Sequence, residues 1–287
     1  MLHFFRDMSE NPFLLTGLLA GLLASVACGV IGPYVITRRI VFLSGAIAHM
    51  ALGGLGAAVW LAVAFPGQFG WLQPIHGAFV AALLGAVTIA LVHNRVQERM
   101  DTLIGALWAV GMALGLLLIK LTPGYETELM SYLFGSISWV DWGYVELLAW
   151  LNGIILLAVL LFHKRLLAIC LDEQQAKLQG VSVLATNMLL LCLVALTVIS
   201  LTRVVGLILV IALLSLPAAT AAHLVGRMAP MMWVATLLCA LVTTVPRIAV
   251  YETGASVSAE AAIVLAAGGV YLAVVVVRRA RARWAAA

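Results

Sequence analysis

Residues 12–36 read PFLLTGLLAGLLASVACGVIGPYVI and carry no charged side chain. About 25 apolar residues are enough to cross the roughly 30 Å hydrocarbon core of a bilayer as one helix. The run is too long for the apolar core of an ordinary signal peptide, and Tyr34 and Arg38 stand where small residues would mark a cleavage site. It reads as a retained span. The pattern recurs at about 41–65, 75–92, 102–121, 145–162, 183–200, 204–222, 231–246 and 259–277. Pro66, Pro74, Pro123, Pro230 and Pro246 fall at or near run ends, where helices stop or start.

Composition agrees. Hydrophobic residues make up 64% of the chain and charged ones only 10%, against about a quarter charged in soluble domains. So few charges cannot build a water-facing surface, and the bilayer must be the solvent. The expected fold is an all-α polytopic membrane protein of eight or nine transmembrane helices, forming one domain over residues 1–287. The count turns on Leu201–Arg203, where two runs nearly touch. Nine spans result if both cross, eight if one is re-entrant. Glycines in the first two runs (Gly17, Gly21, Gly29, Gly32, then Gly53, Gly54, Gly56) let helices approach closely. No loop is long enough for a separate soluble core.

With nine crossings, 12 of the 16 Lys and Arg residues fall on one side, which the positive-inside rule makes the cytoplasm. The N-terminus is then outside and the C-terminus inside. Because the basic residues lie between spans, the positive net charge reports orientation and implies no nucleic-acid partner. Cys28, Cys170, Cys192 and Cys239 show no C-x-x-C spacing, and read as small apolar residues.

The longest polar segment on the basic side is His163–Ser182, HKRLLAICLDEQQAKLQGVS. Asp172 can cap a short helix with Glu173 in its first turn, and Gly180 is placed to end it. Ala176 and Leu178 leave apolar contacts on an otherwise polar turn. Two readings are open from these residues: a docking element for a soluble partner, or a solvated connector between spans.

The segment resembles the coupling helix of ABC importer permeases. Arg38-Arg39-Ile40-Val41-Phe42-Leu43 followed by His49 resembles a stretch of the zinc, manganese and chelated-iron ABC permease family. So do Asp101–Gly105 (DTLIG), Leu129–Gly135 (LMSYLFG), and Val205–Leu209 (VGLIL) with Leu216–Ala221 (LPAATA). The five segments keep the family's order over roughly residues 30–225. The resemblance implies a type II architecture like that of the vitamin-B12 importer, in a bacterial inner (cytoplasmic) membrane. It also implies a homodimer, two cytoplasmic ATP-binding subunits and an extracytoplasmic metal-binding protein. The transported substrate would be a divalent metal ion, zinc above all, with manganese, iron or a metal chelate such as a siderophore as the alternative. No permanently bound cofactor is expected. No G-x-x-x-x-G-K-[ST] motif is present, so ATP hydrolysis belongs to another chain and this one is no enzyme. In the same frame Asp172, Glu173, Ala176 and Gly180 would couple the permease to its ATPase.

His49 is the one histidine well inside an apolar run, and ionisable groups there usually face a cavity or a partner. Gly45, His49 and Gly53 share one helix face, leaving room beside the ring for a passing cation or for a neighbouring helix. A neutral imidazole suits zinc, iron or nickel, and a transit ligand must hold its ion weakly. The family commonly has Asp where this chain has Gly45, so a carboxylate–imidazole pair is not available. Glu126, Glu128, Asp141 and Glu252 lie on the external side, where they would attract cations or receive a binding protein; ordinary solvated loop charge is the plainer reading. Ser131–Trp142 is too short to span and fits an interfacial helix or an aromatic belt. Asp101 fits a helix N-cap, and Met50, Met112 and Met188 fit packing.

Two other classes fit less well. An intramembrane protease lacks HExxH, and Ser44 does not share a helix face with His49. A secondary transporter lacks intramembrane carboxylate clusters and clear repeat halves.

Overall fold

The computed structural model describes residues 2–8, 10–95, 100–124, 132–133, 135, 140–254 and 257–286. All regular structure among them is helical: α1 (Leu2–Asp7), α2 (Pro12–Thr37), α3 (Val41–Ala64), α4 (Pro66–Phe69), α5 (Pro74–Arg95) and α6 (Met100–Lys120). Then come α7 (Trp142–Leu171), α8 (Glu173–Leu178), α9 (Val183–Val205), α10 (Leu207–Leu224), α11 (Met228–Thr253) and α12 (Ala259–Ala286). Among the described residues eight helices are long and apolar enough to cross a membrane, and Leu209–Leu224 forms a shorter apolar helix.

That shorter helix is the doubtful seventh run. Gly206, at φ +83°, is the single residue between α9 and α10, and a left-handed backbone there is open to glycine without strain. Leu207 shares a small space with Leu55, Tyr144, Ile199 and Thr202. At the other end of α10, His223 Nδ1 lies 3.3 Å from an Arg278 guanidinium nitrogen. The 18 residues of α10 rise about 27 Å, and the helix runs back through most of the bundle's height, packed chiefly against α2, α11 and α12.

The long α7 departs from the sequence expectation. Residues 163–171 continue the helix instead of opening the polar loop. The reason is packing: Leu166, Ile169 and Cys170 are buried, and Tyr34 Oη lies 2.6 Å from His163 Nδ1. At about 45 Å for 30 residues, α7 is longer than a bilayer core and projects beyond it.

Glycine fixes the centre. On α3, a Cβ at Gly53 would lie 2.9 Å from the Gly111 carbonyl oxygen, and one at Gly56 would lie 2.7 Å from that of Gly115. On another face of α3, a Cβ at Gly54 would meet the Gly77 carbonyl at 2.1 Å. α3 therefore touches α6 and α5 backbone to backbone, which no larger residue allows. A second seam joins α2 to α11 at Gly29 and Thr236, and α2 to α10 at Gly32 and Ala218. Buried hydroxyls avoid an unmet demand in this apolar core by bonding back to the preceding turn, as Thr197 does to Leu193 and Thr243 to Cys239.

Candidate functional site

At the bundle end where α7 leaves the core, Asp172 adopts extended backbone and its Oδ1 accepts from the N–H groups of Gln174 (2.7 Å) and Gln175 (3.1 Å). This is a helix N-cap. Gly180, at φ +78°, closes α8: its N–H reaches the Lys177 carbonyl and that of Val181 reaches Ala176, the paired bonds of a Schellman motif. Ala176 is buried, whereas Leu178 is 89% exposed. The six-residue helix thus has one small residue turned to the bundle and one large apolar residue presented outward.

The sequence placed Glu173 on this helix but did not identify its partner. Glu173 is bonded by an Arg38 guanidinium nitrogen, and the same nitrogen reaches Asn187 Oδ1 at 2.8 Å. Asn187 Nδ2 closes the triangle by donating to Glu173 at 3.1 Å. The other Arg38 terminal nitrogen donates to the Ile169 carbonyl at 2.7 Å. That carbonyl belongs to the last turn of α7, whose acceptors have no partner within the helix, and a cation is favoured there by the helix dipole. One guanidinium therefore joins the end of α2, the end of α7, the start of α8 and the first turns of α9. Its neighbour Arg39 holds φ +58°, and α2 closes there as the Arg39 N–H donates to the Ile36 carbonyl and the Ile40 N–H to that of Val35. A non-glycine residue in that region costs about 1–2 kcal/mol. The paired arginines of the Arg38–Leu43 stretch were the visible signal; the partner, 135 positions on, was not. Beside this clamp opens a cavity of about 350 Å³ lined by Arg38, Arg39, Phe42, Leu43, Ile104 and Asn187 among others.

His49 lies on α3, six positions beyond Leu43, and is 8% exposed. Its ring stacks on Trp108 of α6 with centroids 4.5 Å apart and planes 25° from parallel. Nδ1 is buried and has no hydrogen-bond partner among the described residues. Gly45 is packed: a Cβ there would lie 2.5 Å from Trp108 Cζ3 and 3.0 Å from Ile211 Cδ1. Among the described residues no three His, Cys, Asp or Glu side chains gather as a metal site.

The acidic residues expected at the external mouth separate. Glu252 accepts from the Phe4 N–H at 2.9 Å, and Tyr251 donates to Asp7 at 2.8 Å. Together they fasten α1 to the end of α11. Arg247 lies over the Phe4 ring and is buried against the start of α2. Asp141 precedes α7, and its backbone carbonyl accepts from Tyr144 and Val145. Glu126 and Glu128 lie outside the described residues, as do half of Ser131–Trp142 and the side chain of Asp101. Met112 and Met188 pack against the core, and the Met50 side chain packs against Gly85.

The described residues thus form a helical bundle with eight helices long and apolar enough to span a membrane and a capped short helix at one end. The chain matches the ABC 3 transport family over residues 10–278. It belongs to that family, as a permease subunit and not an enzyme. It is 38% identical to a probable metal transport system membrane protein of Chlamydia trachomatis, over 79% of this chain and 76% of the relative. It is 29% identical to the manganese transport system membrane protein MntC of Halalkalibacterium halodurans, over 82% and 77% of the two chains. A chelated iron transport system membrane protein of Yersinia pestis, YfeD, is also 29% identical, over 79% and 73%. Among solved structures, PsaBC from Streptococcus pneumoniae in complex with Fab superposes with a TM-score of 0.82 at 28% identity, covering 95% of this chain and 94% of that one.

Proposed function

We propose that this chain is the membrane permease of an ATP-driven importer for divalent metal ions, with zinc as its ion. Family membership and the relatives' names support metal transport. Those names divide between manganese and chelated iron, so the choice of ion rests on this chain's own residues. A lone imidazole beside glycine favours a nitrogen-accepting ion such as zinc over manganese, which prefers oxygen. A single donor also suits a step through which the ion must pass without being trapped.

The observation that carries the reading is α8. It is capped by Asp172, closed by Gly180, seated through Ala176, and presents Leu178 outward. A free connector needs none of these features, whereas a lever driven by a soluble ATPase needs all of them. In this reading two copies of the chain face each other, each α8 docks on one of two ATP-binding subunits, and an extracytoplasmic metal-binding protein delivers the ion at the opposite end. The end bearing α8 is cytoplasmic, in keeping with its share of the basic residues. His49 is the transient ligand on the path between. Asp141, Glu126 and Glu128 belong to the delivery face; Glu252 acts there through its hold on α1.

The test is ATP hydrolysis by the assembled complex in liposomes. Metal-loaded binding protein is expected to stimulate it, and Ala176→Arg and Gly180→Arg are expected to uncouple hydrolysis from uptake while the permease still assembles. Normal transport in both variants would remove α8 from the mechanism.

A further inference from the structure

We propose that Trp108 determines which ions pass His49. This rests on the reading of His49 as the transit ligand and deepens it to a choice of ion class. Three observations converge. The indole stacks on the imidazole at 4.5 Å, so one face of the ring is covered by carbon. The indole edge also fills the space beside Gly45, where any Cβ would lie 2.5 Å from Cζ3 and 2.9 Å from Cη2, with Ile211 closing the other side at 3.0 Å. Position 45 therefore cannot present a donor to an ion at His49 while the indole stays. Finally, the Gly111 seam lets α6 approach so closely that a Cβ there would meet the His49 carbonyl oxygen at 2.7 Å, so the indole has no freedom to retreat with its helix.

The result is an imidazole that is 8% exposed, with Nδ1 lacking a hydrogen-bond partner among the described residues, and with an aromatic wall on the flank where an oxygen ligand would sit. Leaving a buried nitrogen unpaired costs about 1–3 kcal/mol, which persists only where packing holds the ring in place. An ion entering this position gains one nitrogen and meets carbon on the adjacent side. Ions that accept imidazole readily, such as zinc, iron and nickel, can use it. Manganese and magnesium, which need oxygen, gain little in exchange for shed water. Trp108 thus acts as a specificity residue by exclusion, a repulsive element that complements the attractive one.

The experiment uses the permease assembled with its ATPase subunits in liposomes. The binding protein is loaded in turn with zinc and with manganese, and initial uptake of each metal is measured. Trp108→Ala combined with Gly45→Asp is expected to raise the manganese-to-zinc rate ratio about tenfold, since the vacated space then holds a carboxylate. Trp108→Phe, which keeps an aromatic wall, is expected to retain the original ratio. If the double variant does not assemble, Trp108→Ser with Gly45 kept carries the same test, with a smaller shift in the same direction. An unchanged ratio in the variant that assembles, or a shift in Trp108→Phe as large as that in the double variant, overturns the assignment. His49→Ala separates the two levels. Undiminished uptake in His49→Ala would refute the transit reading and the role of Trp108 with it. Lost uptake there, with ratios unchanged in the Trp108 variants, would refute only the latter.

Discussion

Arg38 is the residue on which most separate elements converge, and nothing in its local sequence names its partners. A charge removed there leaves the Glu173 carboxylate, 36% exposed, without its guanidinium. Breaking a fully buried pair costs about 3–5 kcal/mol; solvent at Glu173 should reduce the cost to about 2 kcal/mol. The expected result for Arg38→Gln is an assembled permease whose α8 moves independently of α2, α7 and α9, so that fewer ions cross per ATP hydrolysed. Measuring metal uptake and phosphate release on the same liposomes checks this. An unchanged ratio would show that the clamp carries no motion. The capping residues were different: Asp172 and Gly180 were legible because caps depend on side chains acting within a few positions. Glu252 looked like solvated loop charge until the structure placed it on the Phe4 N–H, 248 positions away in sequence. Local rules reach one turn; pairings across the bundle lie beyond them.

Among the elements, α3 and α10 show what periodicity and length can and cannot settle. The spans themselves were legible, since an apolar run long enough for a bilayer admits one structure there, a helix with its backbone bonds internal. The stop of α7 was not, because residues 163–171 mix basic and apolar positions and only the tertiary burial of Leu166 and Ile169 keeps them helical. Nor could sequence decide whether α10 crosses, since that depends on Gly206 reversing the chain within one residue. The glycines of α3 were recognised as permitting close approach, but their partners Gly77, Gly111 and Gly115 follow only from packing. Gly54→Ala is expected to force α3 and α5 apart and to lower stability by about 1–3 kcal/mol, as overpacking does. Gly153→Ala, where an added Cβ meets nothing within 4 Å, is expected to be neutral or to stabilise α7 by up to about 1 kcal/mol. Thermal unfolding of the solubilised protein distinguishes them. Equal effects would contradict the backbone-contact account of the α3–α5 seam.

The whole molecule has two unlike ends. One joins α1 to α11 through Phe4, Tyr251 and Glu252; the other carries α8, the Arg38 clamp and the basic tail of α12. If the basic end is cytoplasmic, a fluorescent reporter fused after residue 287 is expected to fold in the cytoplasm, and an alkaline phosphatase fused there is expected to be inactive. The reverse pattern would invert the orientation. Between the ends, α6 and α12 leave broad apolar faces uncovered, with Val110, Leu114 and Leu117 on one and Leu265, Leu272 and Val276 on the other. Such faces suit lipid and a second permease copy. In the proposed mechanism ATP hydrolysis on a partner drives a metal ion past His49 through movement of α8. The most direct measurement is zinc uptake into liposomes holding the assembled complex, with and without ATP, for the unaltered chain and for Ala176→Arg. This mechanism requires ATP-dependent uptake in the first and continued hydrolysis with little uptake in the second. Uptake that follows an ion gradient without ATP, or full uptake in Ala176→Arg, would contradict it.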